Sequence, residues 1–86
     1  MNKKVYIVAG TYSMAEYYAR RHGIGKSELV YVYDPDYLRG LEGVEILIHD
    51  TAWRNPKYQE IREMIRIMRN VKTTMVGDSN VEQEGK

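Results

Sequence analysis

The sequence contains no cysteine, no phenylalanine and only two prolines. The absence of cysteine excludes disulfide bonds, thiolate zinc sites, iron–sulfur clusters and a cysteine nucleophile. No apolar run approaches the roughly 20 residues that span a bilayer. The apolar stretch after Lys3 and Lys4 is also shorter than the roughly 7–15 residues of a signal-peptide core. The sequence therefore indicates a cytoplasmic protein without a membrane segment.

Length and composition indicate one globular domain. The 86 residues carry 13 Lys and Arg against 12 Asp and Glu, and 43% of them are hydrophobic. These proportions are typical of globular proteins and not of disordered or fibrous ones. We expect a single domain at residues 1–76, followed by a polar, mobile tail at residues 77–86 that has no hydrophobic periodicity.

Four short runs rich in β-branched and aromatic residues predict four strands. They are residues 4–9, 29–33, 44–49 and 73–76. A first helix is predicted to begin at Ser13, which has the capping-box spacing to Glu16, and to end before Gly23. A second helix is predicted from the Asn55–Pro56 pair to about Asn70, and Asp34 begins a single helical turn between the second and third strands.

The order strand, helix, strand, strand, helix, strand favours parallel pairing with right-handed crossovers. We therefore predict an α/β fold with a small, open, mainly parallel sheet of three to four strands flanked by two helices. The arrangement is of the Rossmann-like or P-loop-like type. Ligands bind such sheets at the carboxyl ends of the strands.

Polar residues follow the predicted strands at this edge. The candidate ligand-binding residues are Gly10, Thr11, Tyr12, Ser13, Asp34, Asp50 and Thr51. Asp50 directly follows an apolar strand, where nucleotide hydrolases place a magnesium ligand, so it is the candidate metal ligand. Asp34 could join it if the second and third strands flank the first. The same hydroxyl and carboxylate residues are also common helix caps, which is the structural alternative for Ser13, Asp50 and Thr51.

Two features weigh against catalysis at this edge. No phosphate-binding lysine follows Gly10, and Thr51 stands where a general base would be needed after Asp50. We therefore favour a protein that is not an enzyme and expect no cofactor, with Mg²⁺ at Asp50 as the alternative.

Two segments resemble known families. Residues 38–52 (LRGLEGVEILIHDTA) resemble the segment through the Walker B strand of phage large terminases and related helicase-type ATPases, where an L-R-G-L turn precedes a strand ending in Asp-Glu-Ala. Because the acidic pair is Asp50–Thr51 here and the motor's lysine is absent, this resemblance implies a degenerate P-loop-like fold in a small phage-encoded protein, not an ATPase.

Residues 5–12 (VYIVAGTY) are similar to the opening strand of nucleoside deoxyribosyltransferase-like proteins, which bind a nucleoside at the strand ends. That family's catalytic glutamate has no counterpart after the third strand.

Charge and aromatic residues suggest contact surfaces. Residues 54–72 carry six Lys and Arg against two Glu, a net charge of +4, and Arg62, Arg66 and Arg69 are predicted to form one stripe on the second helix. This stripe, with Arg54, could bind nucleic acid or a partner.

The sequence has eight tyrosines and one tryptophan. Those in or beside loops and the first helix are candidates for an exposed contact patch: Tyr12, Tyr17, Tyr37 and Trp53. Those on predicted strands are assigned to the core or sheet surface: Tyr6, Tyr31 and Tyr33.

The leading interpretation is a non-enzymatic binding module, of the kind encoded by phages as accessory proteins, that contacts a protein partner or a second copy of itself. One alternative is a nucleotide-binding or Mg²⁺–phosphate-binding protein or enzyme that uses the strand ends. The other is a nucleic-acid binder that uses the basic face of the second helix.

Overall fold

A computed structural model of the protein describes residues 4–77. Its elements are β1 (Val5–Val8), α1 (Tyr12–Arg21), β2 (Leu29–Tyr31), β3 (Glu45–His49), α2 (Tyr58–Ile67) and β4 (Lys72–Val76). Two short 3₁₀ helices follow the carboxyl ends of β2 and β3, at Pro35–Leu38 and Ala52–Arg54. Beyond Gly77, the tail that the sequence predicts lies outside the described residues.

The four strands form one parallel sheet in the order β2-β1-β3-β4. The predicted α/β class and parallel pairing are confirmed. This is the order of the first four strands in flavodoxin-like doubly wound sheets. Successive strands are added first on one side of β1 and then on the other. The switch point of the sheet therefore lies between the carboxyl ends of β1 and β3.

The core has two halves because successive residues of β1 face opposite sides of the sheet. Ile7 and Ala9 pack against α1, in a cluster that includes Ala15, Tyr18 and Ala19. Val8 packs on the other face, in a cluster of residues from β3, α2, both 3₁₀ helices and the segment after β2: Val32, Leu38, Ile46, Ile48, Ala52 and Ile61. Burial on both faces explains why the strands read as nearly unbroken apolar runs.

The predicted start of α1 is wrong by one residue, and the predicted capping residue is wrong. The N-cap is Thr11, whose Oγ1 accepts the Met14 amide at 3.2 Å, and the helix begins at Tyr12. Thr11 has the extended backbone that an N-cap requires, whereas Ser13 already lies in the first turn. The predicted end of the helix is confirmed, because Gly23 has a φ of 72° and the Ile24 amide donates to the Ala19 carbonyl at 2.8 Å.

The bounds of α2 are also narrower than predicted. It begins at Tyr58 because Ala52–Arg54 forms a 3₁₀ turn and the Asn55 side chain accepts the Lys57 amide at 2.8 Å. It ends at Ile67, and Asn70, with a φ of 55°, turns the chain into β4. The predicted arginine stripe is therefore wrong, since Arg69 lies beyond the helix. The apolar face is confirmed, because Ile61 is buried and Tyr58, Met64, Ile65 and Met68 pack beside it.

β2 ends at Tyr31, so the assignment of Tyr33 to a strand is wrong: its side chain is half exposed in the loop that follows. β3 begins one residue later than predicted and β4 one residue earlier. Within residues 4–77, no helix has both the length and the apolar character needed to cross a membrane.

Candidate functional site

The loops that follow β1 and β3 are in direct contact at the switch point. The Gly10 amide donates to the Oγ1 of Thr51 at 3.1 Å. A Cβ on Gly10 would lie 2.7 Å from the Thr51 carbonyl oxygen and 3.1 Å from the Cβ of Arg54. Only glycine fits this position without a shift of the second 3₁₀ helix. The two predicted site residues Gly10 and Thr51 are thus brought together, but they bind each other.

Asn55 closes the same end of β1. Its side chain is buried, and its Nδ2 donates to the Ala9 carbonyl at 3.0 Å and approaches the Tyr31 hydroxyl at 3.4 Å. The Tyr31 hydroxyl lies 3.5 Å from the same carbonyl, and burial raises the pKa of this phenol. Asn55 was missed as a site residue because the Asn–Pro pair also signals an ordinary helix start. Nothing in its sequence context shows that the side chain turns inward.

Thr51 also contacts His49, which is buried. The Thr51 hydroxyl lies 2.8 Å from the Nδ1 of His49, and the Thr51 amide donates to the same nitrogen at 3.2 Å. The Oδ1 of the Asp50 carboxylate lies 3.2 Å from the same nitrogen, so the Nδ1 of His49 is surrounded by the Thr51 hydroxyl, the Thr51 amide and this carboxylate. Thr51 therefore links β1 to β3 and makes no side-chain capping bond to its own 3₁₀ helix.

The two candidate metal ligands lie on either side of β1. β2 and β3 do flank β1, as the proposed pairing of Asp34 and Asp50 required. Each carboxylate, however, contacts its own part of the chain. Asp34 accepts the Asp36 amide at 2.9 Å, and the Asp50 carboxylate packs against Gly77. Among the residues that the structure describes, no group of three His, Asp or Glu side chains could hold a metal ion.

Four exposed aromatic side chains and the half-buried Tyr31 lie around the closed switch point. We call the following residues the aromatic edge: Tyr12, Tyr31, Tyr33, Tyr37 and Trp53. The ring of Tyr31 contacts those of Tyr12 and Tyr33 with centroid distances of 5.8 and 5.6 Å, and Tyr33 contacts Tyr37 at 4.9 Å. Four tyrosine rings therefore form one connected series from the start of α1, across the end of β2, to the first 3₁₀ helix.

Polar tips are paired within the aromatic edge. The Tyr37 hydroxyl donates to the Tyr33 hydroxyl at 2.8 Å, and this hydrogen bond raises the pKa of Tyr37. The Arg54 guanidinium lies over the Trp53 ring, 5.2 Å from its centroid. The exposure predicted for Tyr12, Tyr17, Tyr37 and Trp53 is confirmed, although Tyr17 lies on α1 outside the aromatic edge. The sequence did not predict that Tyr33 belongs to this exposed set, because β2 ends two residues earlier than the β-branched and aromatic run at residues 29–33 suggested.

The basic residues of α2 lie apart from this edge and have local partners. Arg62 lies over the Tyr58 ring at 5.7 Å, and Arg66 is 3.6 Å from the Glu63 carboxylate. Of the predicted stripe, only these two residues share a helix face. Arg54 belongs instead to the carboxyl edge of the sheet.

The carboxyl edge thus combines a switch point closed by internal hydrogen bonds with a surrounding set of exposed aromatic rings. Comparison with protein-family models, with curated proteins and with solved structures finds no match to this chain. Its function is therefore inferred from the chemistry of its own residues.

Proposed function

We propose that the protein is a non-enzymatic binding module that contacts a partner protein through its aromatic edge. The observation that carries the proposal is the exposure of four large aromatic side chains at one edge of the sheet. Tyr12 is 46% exposed, Tyr33 50%, Tyr37 42% and Trp53 65%. Tyrosine, tryptophan and arginine are the residue types that contribute most to protein interfaces.

The internal bonds of the switch point favour a contact surface over a ligand crevice. In phosphate-binding loops, free backbone amides face the ligand. Here the Gly10 amide is taken by Thr51, and the Ala9 carbonyl is taken by Asn55. A nucleotide at the switch point would have to displace these bonds and the second 3₁₀ helix together.

The contacts among the rings also suit binding to a protein. Side chains that are already ordered lose less conformational entropy when a partner covers them. Tyr33 is held between Tyr31 and Tyr37, and the Trp53 ring is held against Arg54. These side chains also combine a polar group with a large apolar ring, as is common for residues in protein interfaces.

Site-specific photo-crosslinking tests the proposal. A benzoylphenylalanine at position 53 or 33 is expected to give one crosslinked protein, in high yield, in cells that encode this chain. The matched control is position 17, because Tyr17 is 52% exposed but lies on α1, away from the edge. Trp53→Ala and Tyr33→Ala should then each weaken binding of the captured protein at least tenfold, and Tyr17→Ala should leave it unchanged.

Two results would contradict the proposal. One is equal crosslinking from positions 53, 33 and 17, or none from any of them. The other is a saturable rise in melting temperature with Mg²⁺ and a nucleotide that Asp50→Ala abolishes, because a ligand that binds only the folded state raises the melting temperature. That result would establish the nucleotide-binding alternative.

A further inference from the structure

The outer edge of β4 has unpaired backbone groups. The Lys72 amide points toward β3 and donates to the Val44 carbonyl at 3.0 Å. Because the backbone groups of successive residues in a strand point to opposite sides, those of Thr73 and Met75 point away from the sheet. These groups have no hydrogen-bond partner among residues 4–77. β4 therefore presents two free amides and two free carbonyls to solvent.

The other edge of the sheet, at β2, is less open. β2 has only three residues, and its outward-facing Leu29 amide donates to the Gly25 carbonyl at 3.1 Å. Natural proteins protect exposed edges with prolines, bulges or several charged residues. β4 contains no proline, has Lys72 as its one charged residue, and pairs with β3 in continuous register over five residues. Of the two edges, β4 is therefore the one suited to pairing with another strand.

The helices within residues 4–77 leave this edge accessible. α1 packs on β1 and β2, on one face of the sheet. α2 packs on the opposite face, which Thr73 and Met75 share with Ile46 and Ile48. It leaves both of these β4 side chains exposed, and Met75 is 71% exposed. A second strand can therefore reach β4 without displacing either helix.

We propose that two copies of this chain pair through β4 in antiparallel orientation, with the two-fold axis at Thr74. The two four-stranded sheets then form one continuous sheet. In this register Thr73 of each copy lies opposite Met75 of the other. Each of these pairs exchanges two backbone hydrogen bonds, so every free amide and carbonyl of the two edges gains a partner. The short Thr73 side chain also leaves room for the long side chain of Met75.

The charges at the two ends of β4 favour an antiparallel copy of the same strand. Lys72 begins the strand and has no ion pair with a described residue, since its neighbour Glu45 accepts the Thr74 hydroxyl at 2.9 Å. At the other end, the Asp50 carboxylate packs against Gly77. Antiparallel pairing brings each Lys72 toward the end of the second strand that carries Asp50. Parallel pairing would place the two lysines side by side, which is unfavourable.

Disulfide trapping tests this register, because the chain has no cysteine of its own. Thr74 faces its own counterpart in a non-hydrogen-bonded pair, where the Cα atoms lie about 4.5 Å apart, within the range of a disulfide. Thr74→Cys should therefore give a covalent dimer under mild oxidation. Lys72→Cys is the matched control: it lies on the same face of β4 and is more exposed, but its two copies are about 14 Å apart along the strands. We expect it to oxidise at least tenfold more slowly.

Sedimentation velocity over a concentration series measures the dimer without a crosslink. Thr73→Pro removes one outward amide from each copy, and edge strands tolerate proline where the amide faces solvent. It should weaken the dimer at least tenfold, whereas Thr73→Ser keeps the amide and should leave the dimer unchanged. Circular dichroism checks that both variants are folded. If Thr73→Pro fails to fold, disulfide trapping still decides the question.

Three results would overturn the inference: a monomer at every concentration up to the solubility limit, equal oxidation of Thr74→Cys and Lys72→Cys, or a dimer that a folded Thr73→Pro variant leaves intact. The inference is independent of the proposed function, since it uses none of the residues of the aromatic edge. Trp53→Ala should leave the dimer unchanged, so either surface can fail its test without the other.

Discussion

The amide nitrogen of Gly10 lies 3.1 Å from the hydroxyl oxygen of Thr51 and joins the loops that follow β1 and β3. In doubly wound sheets, the space between these loops is the usual ligand site. Here the side chain of Thr51 bridges the two loops. Tyr12 lies two residues after Gly10, and Trp53 lies two residues after Thr51. The bond therefore also helps to hold these two exposed residues in place.

Replacement of Thr51 tests the energetic importance of this bond. Thr51→Val should lower the free energy of unfolding by about 1–3 kcal/mol, because the Gly10 amide and the His49 Nδ1 lose a partner in a partly buried site. Thr51→Ser keeps the hydroxyl and should lose less than about 1 kcal/mol. Urea denaturation followed by circular dichroism measures both. Equal losses in the two variants would show that the methyl group, and not the hydroxyl, is important.

Gly10→Ala tests the close approach of the two loops. The new Cβ would lie 2.7 Å from the Thr51 carbonyl oxygen. Forcing the loops apart should cost about 1–3 kcal/mol, which lowers the melting temperature by roughly 4–8 °C per kcal/mol in a domain of this size. Gly25→Ala is the control, because the nearest atom to its added Cβ is 3.6 Å away. A thermal melt in which both variants behave alike would refute the close approach.

The cap of α1 can be checked by a pair of alanine substitutions. Thr11→Ala should cost about 1 kcal/mol, because the Met14 amide loses its acceptor. Ser13→Ala should have almost no effect, since Ser13 is exposed and lies inside the first turn. Denaturant midpoints of the two variants give the comparison. A larger effect at Ser13 would restore the capping box that the sequence suggested.

The strands could be predicted well because their signal is local. A parallel strand that is buried on both faces requires a run of apolar residues, and residues 4–9 and 44–49 show one. The order of the strands has no such signal. Fully buried residues occur in the central strands β1 and β3 and in neither edge strand, but the local sequence does not show that β2 and β3 lie on either side of β1.

The candidate site could be predicted only in part for a related reason. Gly10 and Thr51 were identified by their positions after strands, but the bond between them depends on the strand order. Asn55 and Tyr33 were missed because neighbouring residues give misleading signals. Asn55 precedes a proline, as helix caps do, and Tyr33 continues an apolar run that the sheet does not use. In both cases tertiary packing overrides local preference.

The Tyr33–Tyr37 pair predicts a specific pH dependence. The hydrogen bond that Tyr37 donates raises its pKa in the folded state, so the bond is intact below the ordinary tyrosine pKa of about 10 and is lost as pH rises through the higher, folded value. Tyr33→Phe removes the acceptor and should lower the pKa of Tyr37. NMR titration with ¹³C-labelled tyrosine resolves the individual rings.

Tyr31 provides the control in the same titration. Burial, and not a hydrogen bond from Tyr33, raises its pKa, so it should remain raised in Tyr33→Phe. If Tyr37 titrates identically with and without the Tyr33 hydroxyl, the pairing of the two phenols is not formed in solution.

The central position of β1 has a consequence for synthesis on the ribosome. β1 is made before the other strands, yet it pairs on one side with β3, where Tyr6 is matched with Ile46, forty residues later. At about 5–20 residues per second, that distance takes roughly 2–8 seconds to translate. During this interval one edge of an apolar strand has no partner within the domain. Chaperone binding and aggregation should therefore be greatest in nascent chains in which β1 has left the ribosome and β3 has not, and they should fall once β3 has emerged.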